Sequence, residues 1–350
     1  MRQRTAMRGS TAGRESCSHR VADVQFDTVI LDLDGVVYIG PDAVPHAIDA
    51  LNALEARGIR LTAGTNNANR PAAAVAGHLQ QLGLRIVEAD IMTSAQAAAS
   101  FLRQWLSADS PVLAVGGEGV SEALLGEGLR PLRANADLAV SDAVASECAA
   151  VMMGYGPLVA WFDLAAAHWA IARGKRWIAT NVDPTVPLQF GPAPGNGAMV
   201  GLLQRSTGRA PEVIGKPQPA LFEALLRNTG SRRALVIGDR LDTDIDGAHA
   251  AGLESLLVLT GVHGPLDLAS RPLAAWPSYI ARDLRSLHLP EIEVQLRSGR
   301  AWVDSEDPTA RAVVAAANIA RGAADELPEG LVGASASPMI DVRALRQGTV

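Results

Sequence analysis

Lysine is nearly absent from this sequence: of 31 basic side chains only Lys175 and Lys216 are lysines, so arginine supplies positive charge almost everywhere and each lysine needs a reason. Cysteine is as scarce. Cys17 and Cys148 are too few for a disulfide framework, and the seven histidines show no spacing that would assemble a zinc site. A cytoplasmic location follows from that cysteine usage. No window approaches about 18 consecutive apolar residues, which excludes a membrane-spanning helix. Residues 1–20 carry arginines, Ser and Gly but no apolar stretch, so no secretory signal is read there; residues 1–22 are expected as a disordered tail, with Met7 an alternative start. With a net charge of −6 and no block of like charges, nothing tracks a phosphate backbone, and nucleic acid is excluded as a partner.

What is present is α/β alternation. A chain of 350 residues is too long for one ordinary core. Thr28 to Leu31 reads as a buried strand, Pro45 to Arg57 as a helix stopped by Gly58, and Ile59 to Ala63 as the next strand. The same grammar returns late, where Ala234 to Gly238 is a strand, Asp244 to Ala251 a helix and Leu256 to Leu259 a further strand. Residues 23–100 and 210–285 therefore form one doubly wound parallel sheet, a discontinuous Rossmann-like core. Between them, residues 101–209 form a second α/β unit, an inserted cap with both junctions near the strand ends. On its helix Leu158 to Arg173, Phe162 and Trp169 share a face, which suits core or subunit packing, including a homo-oligomer formed through the cap. Residues 286–350 read as a small accessory α/β appendage, with a hairpin from Ile292 to Val303 and a helix from Pro308 to Asp325.

Four polar clusters fall at strand ends of the core: Asp32-x-Asp34, Thr65-Asn66-Asn67, Gly215-Lys216-Pro217 and Gly238-Asp239-Arg240-Leu241-Asp242-Thr243-Asp244. In open α/β sheets that edge is where ligands bind. Residues two apart on an extended chain face one side, so Asp32 and Asp34 enter one cleft while Gly35 turns the chain away. Alone, Asp-x-Asp-Gly would read as a solvated turn, Thr65 as a helix cap and the asparagines as turn residues; together they suit phosphoryl transfer. A phosphate dianion is repelled by aspartates, since like charges about 4 Å apart cost roughly 4 kcal/mol at an effective dielectric of about 20. Offsetting cations are required, and Mg²⁺ on Asp32, Asp239 and the Asp34 carbonyl, together with Lys216, would supply them. Thr65 and neighbouring N–H groups would donate to the phosphoryl oxygens.

These clusters, with Thr180-Asn181-Val182-Asp183, closely resemble the haloacid dehalogenase superfamily, in the branch of 4-nitrophenylphosphatase, phosphoglycolate phosphatase and pyridoxal phosphate phosphatase. The resemblance spans about residues 24–285. It implies Asp32 as the nucleophile forming an aspartyl-phosphate, Asp34 as general acid and then base, Asp239 as metal ligand and Asp244 as support for the metal and Lys216. It also places Thr65, Asn66, Asn67 and Lys216 against the phosphate, and Asn181, Asp183 and Thr185 against the leaving group. The expected function is a Mg²⁺-dependent phosphatase of a small phosphorylated metabolite. The segment Ala179 to Pro187 and the appendage more weakly resemble actinobacterial glycerol-3-phosphate phosphatases, so glycerol 3-phosphate is the first expected substrate; phosphoglycolate, pyridoxal phosphate and nucleoside monophosphates stay open. The competing class is a receiver-like phospho-accepting switch, which also groups Asp, Thr and Lys around Mg²⁺ but has no use for an acid two residues after the acceptor.

Overall fold

The computed structural model describes residues 26–188, 190–298, 300–322 and 337–347; the expected tail, residues 1–22, lies outside them. An eight-stranded sheet forms the core, in the order Ile292–Glu293, Ile340–Asp341, Tyr279–Ala281, Glu254–Val258, Ala234–Gly238, Thr28–Leu31, Arg60–Thr65 and Ile91–Thr93. From Tyr279–Ala281 to Ile91–Thr93 all neighbours are parallel. Alternation then decides the layers: Val29 and Leu31 enter one apolar cluster and Ile30 the other, so the central strand is buried on both faces, as a parallel sheet requires. All these strands deliver their carboxyl ends to one edge. The helix Ala47–Glu55 covers one face through Ala47, Ala50, Leu51 and Leu54, and Gly58, at φ 83°, takes the left-handed turn that follows it.

The cap is a five-stranded parallel sheet in the order Glu212–Val213, Arg176–Ala179, Ala150–Met153, Pro111–Val115 and Arg130–Leu132, with a hairpin of Thr185–Leu188 and Gly191–Pro194 beside it. Glu212 and Val213 therefore pair with the cap rather than the core, beyond the boundary expected at residue 209. The join is apolar. Helix Ser94–Arg103 contributes Ala95, Ala98, Ala99 and Leu102 to a cluster that also holds Ile30 and Val236 of the core sheet and Val112, Ala114 and Met152 of the cap sheet. The run Gly116-Gly117-Glu118-Gly119 is a strand-to-helix turn leading into Glu118–Gly126. Its glycines let the cap approach: a Cβ on Gly117 would lie 2.0 Å from Asn69 Oδ1, and one on Gly119 2.6 Å from the Ala68 carbonyl oxygen.

The appendage does not stand apart. Ile292–Glu293 and Ile340–Asp341 extend the core sheet, the latter antiparallel to Tyr279–Ala281. The expected hairpin forms from Gln295–Arg297 and Arg300–Trp302, and helix Pro308–Ala320 starts on Asp307, whose carboxylate accepts the Ala310 N–H. Ala310, Val313, Ala316 and Ala317 of that helix share one apolar cluster with Leu241, Ile245 and Trp276. The late core helix, expected from Asp244, begins earlier as a wide π-helical turn at Leu241–Ile245 and runs on as Asp246–Ala250. Among the described residues no helix is long and apolar enough to cross a membrane.

At the seam with the appendage, Glu291 is pushed up to about 7 by burial and by the Asp341 charge, with Arg343 pulling the other way and Glu254 adding to the rise. Its carboxyl holds a proton in the folded chain up to about that pH, but in the unfolded chain only to its ordinary value near 4.5. Folding thus takes up a proton in this window, and the contribution of Glu291 to stability falls as pH rises through it. Because the group is only half-buried, the cost above the window is on the order of 1 kcal/mol. Glu291→Gln is therefore expected to raise the melting temperature at pH 8 and leave it nearly unchanged at pH 4.5. Thermal melts of both proteins at the two pH values check this; equal shifts at both would contradict it.

Candidate active site

Asp32 follows the central strand directly, its N–H donating to the Ile237 carbonyl at 2.8 Å, so the backbone is still held by the sheet where the carboxylate leaves it. Lys216 Nζ donates to Asp32 Oδ1 at 2.5 Å and to Asp244 Oδ1 at 2.6 Å. The lysine side chain is 3% exposed, Asp244 1% and Asp32 13%, so this is a buried bridge open only on the Asp32 side. Burial works against the ammonium, but the carboxylates of Asp244 and Asp32 outweigh it and hold Lys216 above its ordinary range. The remaining Asp244 oxygen accepts the Arg240 N–H at 3.1 Å, which fastens Asp244 to its own turn.

Asp239 closes the cluster. Carboxylate oxygens of Asp32, Asp239 and Asp244 lie within 4.8 Å of one another. Asp239 Oδ2 accepts the Val262 N–H at 2.7 Å, while its buried Oδ1 has no partner among the described residues. Burial, with Asp244 beside it, raises Asp239 to about 6. Gly35 and Gly261 make room for it: a Cβ on either would sit 2.6 Å and 2.0 Å, respectively, from Asp239 Oδ2. Three carboxylates against one ammonium leave an excess of negative charge, and an orphaned buried oxygen marks where a hard cation fits. The Asp34 carbonyl, which accepts no hydrogen bond among the described residues, offers a further oxygen donor. The donor set thus suits magnesium held by Asp32, Asp239 and the Asp34 carbonyl.

Asp34 is partly buried, and burial raises its carboxyl, with Arg70, Lys216 and His78 pulling the other way. Thr65 Oγ1 accepts the Asn67 N–H at 3.1 Å, which leaves the hydroxyl hydrogen free to donate. Asp32, Asp34, Thr65, Lys216 and Asp239 line one cavity of about 520 Å³, whose far side is the cap loop and hairpin with Asn181, Asp183, Thr185, Val186 and Pro192.

Three of the expected substrate contacts line the cavity and also make bonds within the protein. Asn67 Oδ1 accepts the Asn69 N–H at 3.0 Å, an Asx turn. Asn181 Nδ2 donates to the Asn66 carbonyl at 2.7 Å, and its Oδ1 accepts the Asp183 N–H at 3.2 Å. The Asn66 carboxamide is bonded at both ends, to the Lys216 backbone and to Asp183. Asp183 is partly buried and faces Asn66, while the Thr185 hydroxyl has no partner among the described residues. Asp242 pairs with Arg240 at 2.8 Å and Asp246 with Arg271 at 2.6 Å, so neither joins the metal cluster.

Sequence reasoning passed over Arg240, whose guanidinium is pinned by Asp242 at the cavity wall, and the buried Asn196, whose Nδ2 donates to the Asn181 carbonyl at 2.7 Å and so sets the cap loop. A lone cation inside an acidic run was the signal for Arg240; for Asn196, after Gly195 at a helix start, there was none.

Comparison with known proteins agrees with this geometry. The family model described as haloacid dehalogenase-like hydrolase matches residues 29–130, and one described as HAD-hydrolase-like matches residues 213–287. The D-glycerol 3-phosphate phosphatase of Mycobacterium tuberculosis is 43% identical over 264 residues, covering 75% of this chain and 71% of that protein. The crystal structure of a glycerol phosphate phosphatase from the same organism, in complex with magnesium, superposes with a TM-score of 0.75 at 38% identity, covering 88% of this chain and 94% of the other. The 4-nitrophenylphosphatase of Thermotoga maritima superposes at 0.67 with 26% identity, covering 76% and 97%.

Proposed function

The chain belongs to the haloacid dehalogenase-like hydrolases and is a magnesium-dependent phosphatase, and from that premise we propose that its substrate is glycerol 3-phosphate and that Asp32, Asp34 and Lys216 carry the reaction. One observation carries the residue roles: the buried Lys216 ammonium bridges Asp32 and Asp244 at the floor of a cavity that Asp34 also lines.

A carboxylate oxygen of Asp32 attacks phosphorus, forming the aspartyl-phosphate as the bond to the leaving oxygen breaks. Asp34 gives its proton to that oxygen, then takes one from the water that attacks phosphorus, releasing inorganic phosphate and restoring the Asp32 carboxylate. Lys216 keeps Asp32 oriented and neutralises phosphoryl oxygens, while the Thr65 hydroxyl donates to them. Magnesium on Asp32, Asp239 and the Asp34 carbonyl, with Asp244 in support, supplies the positive charge that a phosphate dianion needs over an acidic floor. A phospho-accepting switch would leave Asp34 without a task.

The substrate reading rests on the Mycobacterium tuberculosis relative and on a small cavity roofed by the cap, which suits a compact polar leaving group. The unpaired cysteine Cys148, buried in the cap, agrees with a cytoplasmic setting. Phosphate release with Mg²⁺ from glycerol 3-phosphate, phosphoglycolate, pyridoxal phosphate, nucleoside 5′-monophosphates and 4-nitrophenyl phosphate tests the proposal. The highest kcat/KM is expected for glycerol 3-phosphate; a higher value for any other ester overturns the substrate, and no release from any overturns the reading.

Substrate choice is expected to involve Thr185, which lines the cavity and whose hydroxyl has no partner among the described residues. Thr185→Val should shift the kcat/KM ratio of glycerol 3-phosphate to 4-nitrophenyl phosphate by about tenfold towards the latter, because a lost hydrogen bond penalises only the hydroxyl-bearing leaving group. An unchanged ratio would place Thr185 outside leaving-group recognition.

A further inference from the structure

Resting on the phosphatase reading, we propose that Asn66 is a positioning residue that couples the seat of the cap to the placement of Lys216, through its contact with Asp183. Its Oδ1 accepts the Lys216 N–H at 2.8 Å and its Nδ2 donates to the Lys216 carbonyl at 3.0 Å, so one carboxamide grips the lysine backbone at two points. The same Nδ2 faces both oxygens of Asp183, at 3.2 and 3.3 Å, 117 residues further along the chain. Both amide hydrogens and the amide oxygen are therefore in use, which leaves Asn66 no group with which to read a substrate.

Three segments meet there with no slack. The Gly215 N–H donates to the Thr180 carbonyl at 2.8 Å, and a Cβ on Gly215 would sit 2.3 Å from that oxygen and 2.6 Å from Asn66 Oδ1. The Asn66 carbonyl accepts Asn181 Nδ2 at 2.7 Å and Ser94 Oγ at 2.6 Å, so its main chain is fixed from both the cap and the core. The variable element is the carboxamide. Asp183 is an acceptor-only carboxylate, and its hydrogen bond from Nδ2 reinforces the orientation that the Lys216 N–H and carbonyl impose on the amide. Without that bond, one of the three contacts that hold the carboxamide in place is lost. A rotated carboxamide would turn its NH₂ on the Lys216 N–H and its oxygen on the Lys216 carbonyl, breaking both backbone bonds. The ammonium between Asp32 and Asp244 is thus placed most firmly when Asp183 is seated against Asn66.

Amide hydrogen exchange on the full chain reads this coupling without reference to catalysis. Asp183→Ala is expected to speed exchange in the segment containing Gly215 and Lys216 by about tenfold, although Asp183 makes no hydrogen bond to Lys216 among the described residues; Asn66→Ala should do the same. Exchange at Lys216 unchanged in Asp183→Ala overturns the proposal. In phosphate release, each single variant should lose about tenfold in kcat and the double variant no more than the worse single; multiplying losses overturn it. Asn66→Asp sets two carboxylates face to face and should lose more, and combining it with Asp183→Asn should recover at least part, which a purely structural role for Asn66 would not allow. Absence of recovery, with both proteins folded by thermal melting, counts against the coupling. No phosphate release from the parent chain would instead overturn the phosphatase reading, and the exchange measurement would still decide the role of Asn66.

Discussion

Asp32→Asn is expected to abolish turnover, with a loss of at least about 1,000-fold in kcat, or about 4 kcal/mol of barrier, and little change in melting temperature. The amide has nearly the same shape, so the central strand keeps its hydrogen bond from residue 32 to Ile237 and its packing on both faces. What changes is chemistry. An amide oxygen is a poor nucleophile and a weak metal ligand, and the negative charge that Lys216 pairs with at 2.5 Å is gone. Phosphate release and a thermal melt on the same preparation separate the two effects. Activity within about tenfold of the parent would remove Asp32 from the mechanism.

Lys216→Arg keeps the charge and is nevertheless expected to cost about 100-fold in kcat. The ammonium sits in a pocket where the side chain is 3% exposed, within 2.6 Å of Asp244 and 2.5 Å of Asp32, a space shaped for a compact cation. A planar guanidinium spreads its donors over a wider fork, so it must either push Asp244 from the turn that fixes it or withdraw from Asp32. Lys175→Arg is the matched control. Lys175 follows the helix Trp161–Ala172, its N–H bonded to the Ala170 carbonyl, away from the cavity lining. Silence at residue 216 with damage at residue 175 would mean that the chemistry uses the other lysine.

The composition already pointed to Lys216, because in a chain that writes its cations as arginine a lysine at a strand end is an anomaly with a physical cause. The parallel core was legible for a similar reason: apolar runs such as Val29-Ile30-Leu31 must be covered on both sides, and their ends fall together. Other features were hidden because they depend on pairs that no local pattern encodes. Asn66 looks like any turn residue until the chain returns with Lys216 and Asp183. Gly261 carries no motif, yet its missing Cβ leaves space for Asp239. Ile340–Asp341 is too short to announce itself as a strand and exists because the edge at Tyr279–Ala281 offers it hydrogen bonds, while Ile292–Glu293, expected in the hairpin, pairs with it instead. Helix Ser94–Arg103, alanine-rich and astride the expected boundary, gives no hint in its periodicity that it faces two sheets at once.

The packing of helix Pro308–Ala320 gives a bearing on how this enzyme tolerates shortening. Leu241 and Ile245, the apolar residues of the wide turn that carries Asp244, belong to an apolar cluster that also holds Val313, Ala316 and Ala317. A chain trimmed after residue 286 would keep every residue assigned to chemistry, yet the apolar cluster behind that turn would lose Val294, Ala301, Val313, Ala316 and Ala317. Asp244, held by Lys216 on one side and by its own turn on the other, would then rest on a thinned apolar cluster. The appendage is remote in sequence from every catalytic motif, but a stop codon there would be a lesion of the active site.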